Sequence, residues 1–200
     1  MKASGGGGHQ VSSDQAQAAG RHMDVEALFR AHAPFVAGFL ARLGVPQADV
    51  DDRVQEVFLV AHRKGGYTPG QGHPRTWLGA IAVRVASTAR RTLARKREDG
   101  GDALGGFSVE GPSPMEAFEH RRALERVQRA LDSLDTEHRA VFVLYELEGQ
   151  SCEAIARSFD IPVGTVYSRL HHARRRFQQL YARLQPAEDA MLQPRAAEGA

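Results

Sequence analysis

From residue 24 onward, apolar side chains recur three and four positions apart, the spacing of one face of an α-helix. Val25, Leu28, Phe29, Phe35, Val36, Phe39, Leu40 and Leu43 make the first stripe, and Gly44 closes it. Val50, Val54, Val57, Phe58 and Ala61 make a second over residues 47–63. A third helix is predicted over 75–97. It turns Trp77, Leu78, Ile81, Ala82 and Val85 inward and leaves basic residues at its far end. Helices resume over 115–132 and 135–148, with Asp135 suited to cap the latter and Gly149 to stop it. Neither strand alternation nor an internal repeat interrupts this pattern. The fold class expected is all-α.

The breaks between stripes set the domain organisation. Residues 1–22 are rich in Gly, Ser, Gln and Ala without periodicity and read as a disordered tail. "KGGYTPGQGHP", residues 64–74, is a loop by its Gly and Pro content. "EDGGDALGGFSVEGPSP", residues 98–114, has the composition of a linker. The chain is therefore expected to form two small helical domains, 23–97 and 115–182, joined by a flexible acidic linker. The last stretch, 183–200, is expected to fray.

"SCEAIARSFDIPVGTVYSRLHHARRR", residues 151–176, predicts a short helix, a tight turn and a second helix. Ser151 can accept from the free N–H groups of the first helix. Pro162 suits a first helical turn and disfavours helix in the residue before it. In the second helix Val166, Leu170, Ala173, Phe177 and Leu180 form the inner stripe. The other side offers Thr165, Ser168, Arg169, His172 and Arg176, donors of graded length with no acid among them. Such a face fits a DNA major groove, where hydrogen bonds read base edges and Arg or Ser/Thr bind phosphates. Gly164 allows close backbone approach to a phosphate.

Charge sharpens this picture. A net charge of +2 hides a segregation along the chain. Asp49, Asp51, Asp52 and Glu56 face one base, Arg53, in the second helix. Arg84, Arg90, Arg91, Arg95, Lys96 and Arg97 have no acid between them, and Glu98, Asp99, Asp102, Glu110, Glu116 and Glu119 no base. Arg169, Arg174, Arg175 and Arg176 make a second basic cluster. Two basic patches split by acids suggest two polyanion contacts.

Other classes find little support. The single cysteine, Cys152, fits a reducing cytoplasm. The N-terminus lacks the apolar core of a secretory signal, and no run reaches membrane-span length, so a cytoplasmic location without direct membrane insertion is expected. No HExxH or paired-Cys spacing points to a metal, and no cofactor is expected. Neither a nucleophile–base pair nor a P-loop is present, so no enzyme is expected.

The segment "LDTEHRAVFVLYELEGQSCEAIARSFDIPVGTVYSRLHHARRRF" strongly resembles the C-terminal domain of extracytoplasmic-function sigma factors of the bacterial sigma-70 family. Response regulators carry similar helix-turn-helix domains, and the first half of the chain decides between them. "DVDDRVQEVFLVAHR" resembles the family's core-polymerase-binding helix, and "RTWLGAIAVRVASTARR" its promoter-melting helix, in the expected order. The resemblance covers about residues 23–185. It implies a sigma factor that binds core RNA polymerase, recognises −35 and −10 promoter DNA, and melts it. Asp51, Asp52, Gln55, Glu56 and Phe58 would meet the polymerase, Phe58 being divided between that surface and the core. The loop 65–76 would receive a flipped −10 base, with Tyr67 and His73 to stack on it. Trp77 has two readings, DNA stacking and core. Arg84, Arg90, Arg91, Arg95 and Lys96 would hold phosphates. Gly164, Thr165, Ser168, Arg169, His172 and Arg176 would address the −35 element.

Two positions depart from the family's pattern, Arg84 for a usual Asn and Thr88 for a frequent Asp, which bears on −10 recognition. The acidic linker has two readings, a nucleic-acid mimic in the polymerase channel and a solvated spacer. An anti-sigma factor is the further partner the resemblance implies. The competing readings are a dimeric helix-turn-helix regulator acting without polymerase, and a helical interaction protein whose basic patches bind acidic proteins.

Overall fold

The computed structural model describes residues 22–70, 72–98 and 114–192. The expected tail 1–22 (His22 excepted) and nearly all of the linker 98–114 lie outside the described residues. Seven helices are present among those described: α1 (Val25–Arg42), α2 (Gln47–Arg63), α3 (Pro74–Glu98), α4 (Pro114–Asp132), α5 (Thr136–Phe142), α6 (Cys152–Phe159) and α7 (Val163–Leu192).

Local chemistry sets the ends. Asp24 caps α1, its carboxylate accepting from the Ala27 N–H at 2.8 Å. Asp135 caps α5 by accepting from the N–H groups of Glu137 and His138. Ser151 caps α6, and Asp160 ends it in the left-handed conformation. The loop after α2 is pinned at one point. Met23 and Tyr67 exchange backbone hydrogen bonds of 3.0 and 2.9 Å, the one isolated β-bridge among the described residues. Gly66 makes this possible. Its φ is +83°, and a Cβ there would run into the Met23 carbonyl oxygen.

α1, α2 and α3 pack on one another around Leu28, Val36, Phe39, Leu40, Val57 and Leu78, all fully buried. α4, α5 and α7 pack around Leu131, Val141, Val143 and Val166, with α6 against α7. The described helices thus group into two halves, α1–α3 and α4–α7.

Three features differ from the sequence pattern. The expected helix 135–148 is α-helical only to Phe142 and then widens into one π-helical turn, Val143–Leu147. There the Glu148 N–H bonds back to the Val143 carbonyl at 3.1 Å. The expected frayed tail is instead helical as far as Leu192. Finally, the two halves share one continuous core. α3 packs on α5 and α6, and the Leu144 side chain rests on Gly79, where a Cβ would stand 3.3 Å from it.

Two stability predictions follow from the first half. Gly66→Ala, which forces a Cβ into both a left-handed φ and a backbone oxygen, should cost about 2 kcal/mol in urea unfolding. His32 is buried on α1, and neither ring nitrogen has a hydrogen-bond partner among the described residues. Burial first, and then the Arg75 and His73 charges, push its pKa from 6.5 down to about 4. The unfolded chain thus takes up a proton in a range where the folded chain refuses it. This contribution to stability is whole above pH 6.5 and is lost as pH falls from 6.5 to 4. Thermal melts over that range should decline, and His32→Leu should flatten the decline.

Candidate nucleic-acid interface

α7 carries an exposed polar face in the second half. Val166, Leu170 and Ala173 are buried, and Phe177 stacks on Phe142 with centroids 4.8 Å apart. That seam leaves Gly164, Ser168, His172 and Arg176 exposed, with Thr165 and Arg169 half-buried at its edge. The face opposite the seam also presents His171 and Arg175, with Tyr167 (53% exposed) on its flank, none of which the stripe argument picked out. The signal for His171 and Arg175 was available, since 164, 168, 171 and 175 are the positions farthest from 166, 170 and 173 on a helical wheel.

Not every cation there is free. Arg169 pairs with Glu137 of α5, and Arg174 with Glu146 of the π turn. Arg174 also lies 5.1 Å over the Tyr145 ring. The Tyr167 hydroxyl donates to Glu153 at 3.2 Å. Arg175 and Arg176 have no carboxylate partner among the described residues. Cys152 is buried under this helix pair, and burial pushes its thiol pKa up, so it is not poised as a nucleophile.

A second, acidic face lies on α2. Asp51, Asp52 and Gln55 are exposed, and Glu56 is half-buried and bonded to Arg53 at 2.6 Å. Phe58 does not join them. It is buried, with the Phe29 ring edge-on to it at 5.0 Å, so its divided assignment resolves to the core. Leu59 takes its place on the outside, 55% exposed, one turn on from Gln55 and Glu56. An apolar residue off the inward stripe was the sequence signal for it.

The loop before α3 is arranged differently from expectation. Tyr67 is fully buried, its hydroxyl donating to the Gly72 carbonyl at 2.5 Å, and its ring meets Trp77 edge-on at 6.0 Å. Trp77 is buried too. In this arrangement both rings serve the core and cannot stack on a base. His73 is half-buried, its backbone N–H donating to Thr76 Oγ1 at 3.1 Å and its Nδ1 accepting from the Arg75 N–H at 3.2 Å. Arg84 is exposed on α3. Thr88 donates to the Arg84 carbonyl at 3.1 Å, leaving the side-chain guanidinium to the surface. Arg90, Arg91, Arg95 and Lys96 fall on the last turns of α3, and their side chains lie outside the described residues.

The second half covers this loop. Ser158 of α6 donates to Thr76 Oγ1 at 2.8 Å, and Gly72 lies so close to Ser158 and the Ala154 carbonyl that a Cβ would collide. Glu148, 11% exposed, bonds to Arg42 at 2.9 Å and Arg75 at 3.2 Å, both from the first half. Arg139, with no exposed surface, donates through Nε to the Arg42 carbonyl and pairs with Asp132 at 2.7 Å. Among the described residues no group of His, Cys, Asp and Glu could hold a metal, and no helix is long and apolar enough to cross a membrane.

Known proteins resemble this chain in sequence and in fold. Residues 28–96 match the family described as Sigma-70 region 2, and residues 124–177 match Sigma-70, region 4. The chain is 35% identical over 147 residues to the ECF RNA polymerase sigma-E factor of Escherichia coli, covering 70% of this chain and 76% of that one. It is 32% identical over 158 residues to the ECF RNA polymerase sigma factor SigE of Mycolicibacterium smegmatis, spanning 78% of this chain and 61% of that protein's length. The fold is shared with the sigma factor RpoE of Bartonella quintana, solved with the anti-sigma factor NepR. The TM-score is 0.58 at 23% identity, over 76% of this chain and 92% of that one. CnrH, solved with the cytosolic domain of CnrY, gives a TM-score of 0.54 at 27% identity, over 83% and 93%. With both sigma regions in order on one chain, and relatives aligned across them, this protein belongs to the extracytoplasmic-function sigma factors of the sigma-70 family.

Proposed function

We propose that this chain confers promoter specificity on core RNA polymerase through three surfaces, and that its two halves must separate to use them. The observation that carries the reading is the presence of both sigma regions on one chain, one with an acidic exposed helix face and the other with a donor-rich one. Asp51, Asp52, Gln55 and Glu56 supply acids and an amide for a basic partner, and Leu59 adds an apolar contact in their midst. The donors of α7 address the −35 duplex. Arg84 and the cations at the end of α3 hold the −10 strand, and the loop 65–76 takes an extruded base once α6 has moved away. A dimeric regulator would leave the acidic face of α2 and the whole first half without a task.

The chain's own work is binding, with no bond made or broken by its residues, and the polymerase performs the phosphoryl transfer. Two modest DNA contacts gain strength when both are tethered to one polymerase. The place of action is the cytoplasm. Because relatives of this fold were solved with the anti-sigma factor NepR and with CnrY, an anti-sigma partner of this chain is part of the proposal.

Initiation by sigma-free core polymerase on pooled genomic fragments tests the reading directly. The native chain should start transcripts selectively, and Asp52→Ala/Gln55→Ala should weaken core binding at least tenfold, about 1.4 kcal/mol. Binding to duplex DNA alone, with no transcripts, would instead indicate the dimeric regulator. The closure makes its own prediction. Glu148→Ala removes both ion pairs between the halves and should raise the radius of gyration in small-angle scattering. It should also speed promoter opening several-fold, since partly exposed pairs contribute about 1 kcal/mol or less each.

A further inference from the structure

The loop 65–76 is held at two levels. Its near limb is pinned by Met23, whose N–H donates to the Tyr67 carbonyl at 3.0 Å and whose carbonyl accepts from the Tyr67 N–H at 2.9 Å. Its two limbs are tied together by the Tyr67 side chain, whose hydroxyl crosses five positions to donate to the Gly72 carbonyl at 2.5 Å. We infer that Tyr67 is a positioning residue for the extruded −10 base. It does not touch the base, and together with the Met23 backbone it holds the loop in the shape that receives one. This rests on the reading of the loop as the base receptor, and it gives Tyr67 a part other than stacking.

Each part of Tyr67 is engaged within the first half. The ring has no exposed surface and meets Trp77 edge-on, the backbone pairs with Met23, and the hydroxyl is on Gly72. Burial pushes the hydroxyl pKa above its ordinary value, so the group stays protonated and a donor. A ring that served only to fill the core would not need that hydroxyl. Phenylalanine would occupy the same space with no buried polar group to satisfy. The far limb is fixed in its turn. Thr76 Oγ1 donates to the His73 carbonyl at 2.7 Å and accepts from the His73 N–H at 3.1 Å.

Between the tied limbs the tip is left outside, with Thr68, Pro69 and Gly70 exposed. Pro69 has a fixed φ, which stiffens the tip. Gly70, at φ +100°, has open space where a Cβ would stand, so a base can come close to the backbone there. All these ties lie within the first half, so the loop keeps its shape once α6 and its Ser158 have left Thr76. That is what a base receptor needs. Extruding a base is unfavourable in itself. A loop that had to be ordered at the same moment would add its conformational entropy to that cost, and a loop already held does not.

The test uses the polymerase holoenzyme and a promoter fragment whose −10 strand is already unpaired. Abasic sites placed one at a time along that strand identify the base whose loss weakens native binding most. Tyr67→Phe removes the tie to Gly72, and Met23→Pro removes the N–H that pairs with Tyr67. Each should weaken binding to the intact strand about tenfold. On the strand abasic at the identified position that penalty should vanish, while affinity for core polymerase stays at the native value throughout. A merely structural role predicts the same loss on intact and abasic strands, and that result overturns the inference. So does native binding of the intact strand by Tyr67→Phe. This variant keeps the ring and both backbone bonds and is expected to fold, so it decides the matter even where circular dichroism melts show Met23→Pro unfolded. If no abasic position weakens native binding, the reading of the loop as a base receptor is overturned, and the part given to Tyr67 goes with it.

Discussion

A single guanidinium with no exposed surface joins the two halves of this protein. Arg139 leaves α5, pairs with Asp132 beside it, and gives its Nε–H to the backbone carbonyl of Arg42 at the end of α1. Gly44, at φ +87°, lies against the guanidinium, where a Cβ would stand 3.2 Å from Nη1. A buried charge of this kind is costly to strand, so the chain end of α1 and the start of α5 are held in one arrangement. The π turn that follows carries Leu144 onto Gly79 and brings Glu148 between Arg42 and Arg75. The position of α6 over the loop 65–76 depends on these contacts.

Their chemistry also explains why such a closure can be undone. The joint has two parts: ion pairs and hydrogen bonds that water could satisfy on both sides after separation, and a hydrophobic core that runs from α3 into α5 and α6. Separation of the halves would therefore expose apolar surface as well as release ion pairs. A ligand that engages one half must offset both, and one that binds both halves adds to them.

The same economy of charge governs α7. Acids from α5 and the π turn take Arg169 and Arg174, which fixes the helix on its own domain. The polar residues of α7 left exposed are Ser168, His171, His172, Arg175 and Arg176, with Tyr167 beside them. As the DNA surface proposed above, that is a modest set of cations. It suits the proposed reading, in which specificity is divided among several elements and affinity comes from being carried by a larger assembly.

Much of this was legible in the residues. The three- and four-residue spacing located the helices, with α2 coming out at its predicted bounds, because burial of an apolar stripe leaves a helix little choice of face. Asp24, Asp135 and Ser151 each cap a helix within one residue of its predicted start, since a cap is a local hydrogen bond. The family resemblance lay in short runs such as "DDRVQEVF" and "IPVGTVYSRL", and these survive in sequence whatever the halves do. Tyr67 and Trp77 were different. An aromatic ring beside a glycine-rich loop can stack on a base or fill a core, and only the hydrogen bond to Gly72 and the edge contact between the rings decide for the core. Phe58, on the inward stripe of α2, could also have been shared with a partner, and only its edge contact with Phe29 of α1 decides for the core. The pairing of Arg169 and Arg174 and the closure through Arg139 and Glu148 join residues 28 to 106 positions apart. Local spacing determined the elements and their faces. Only long-range packing, where hydrogen bonds and desolvation depend on which surfaces meet, decided what each face was left free to do.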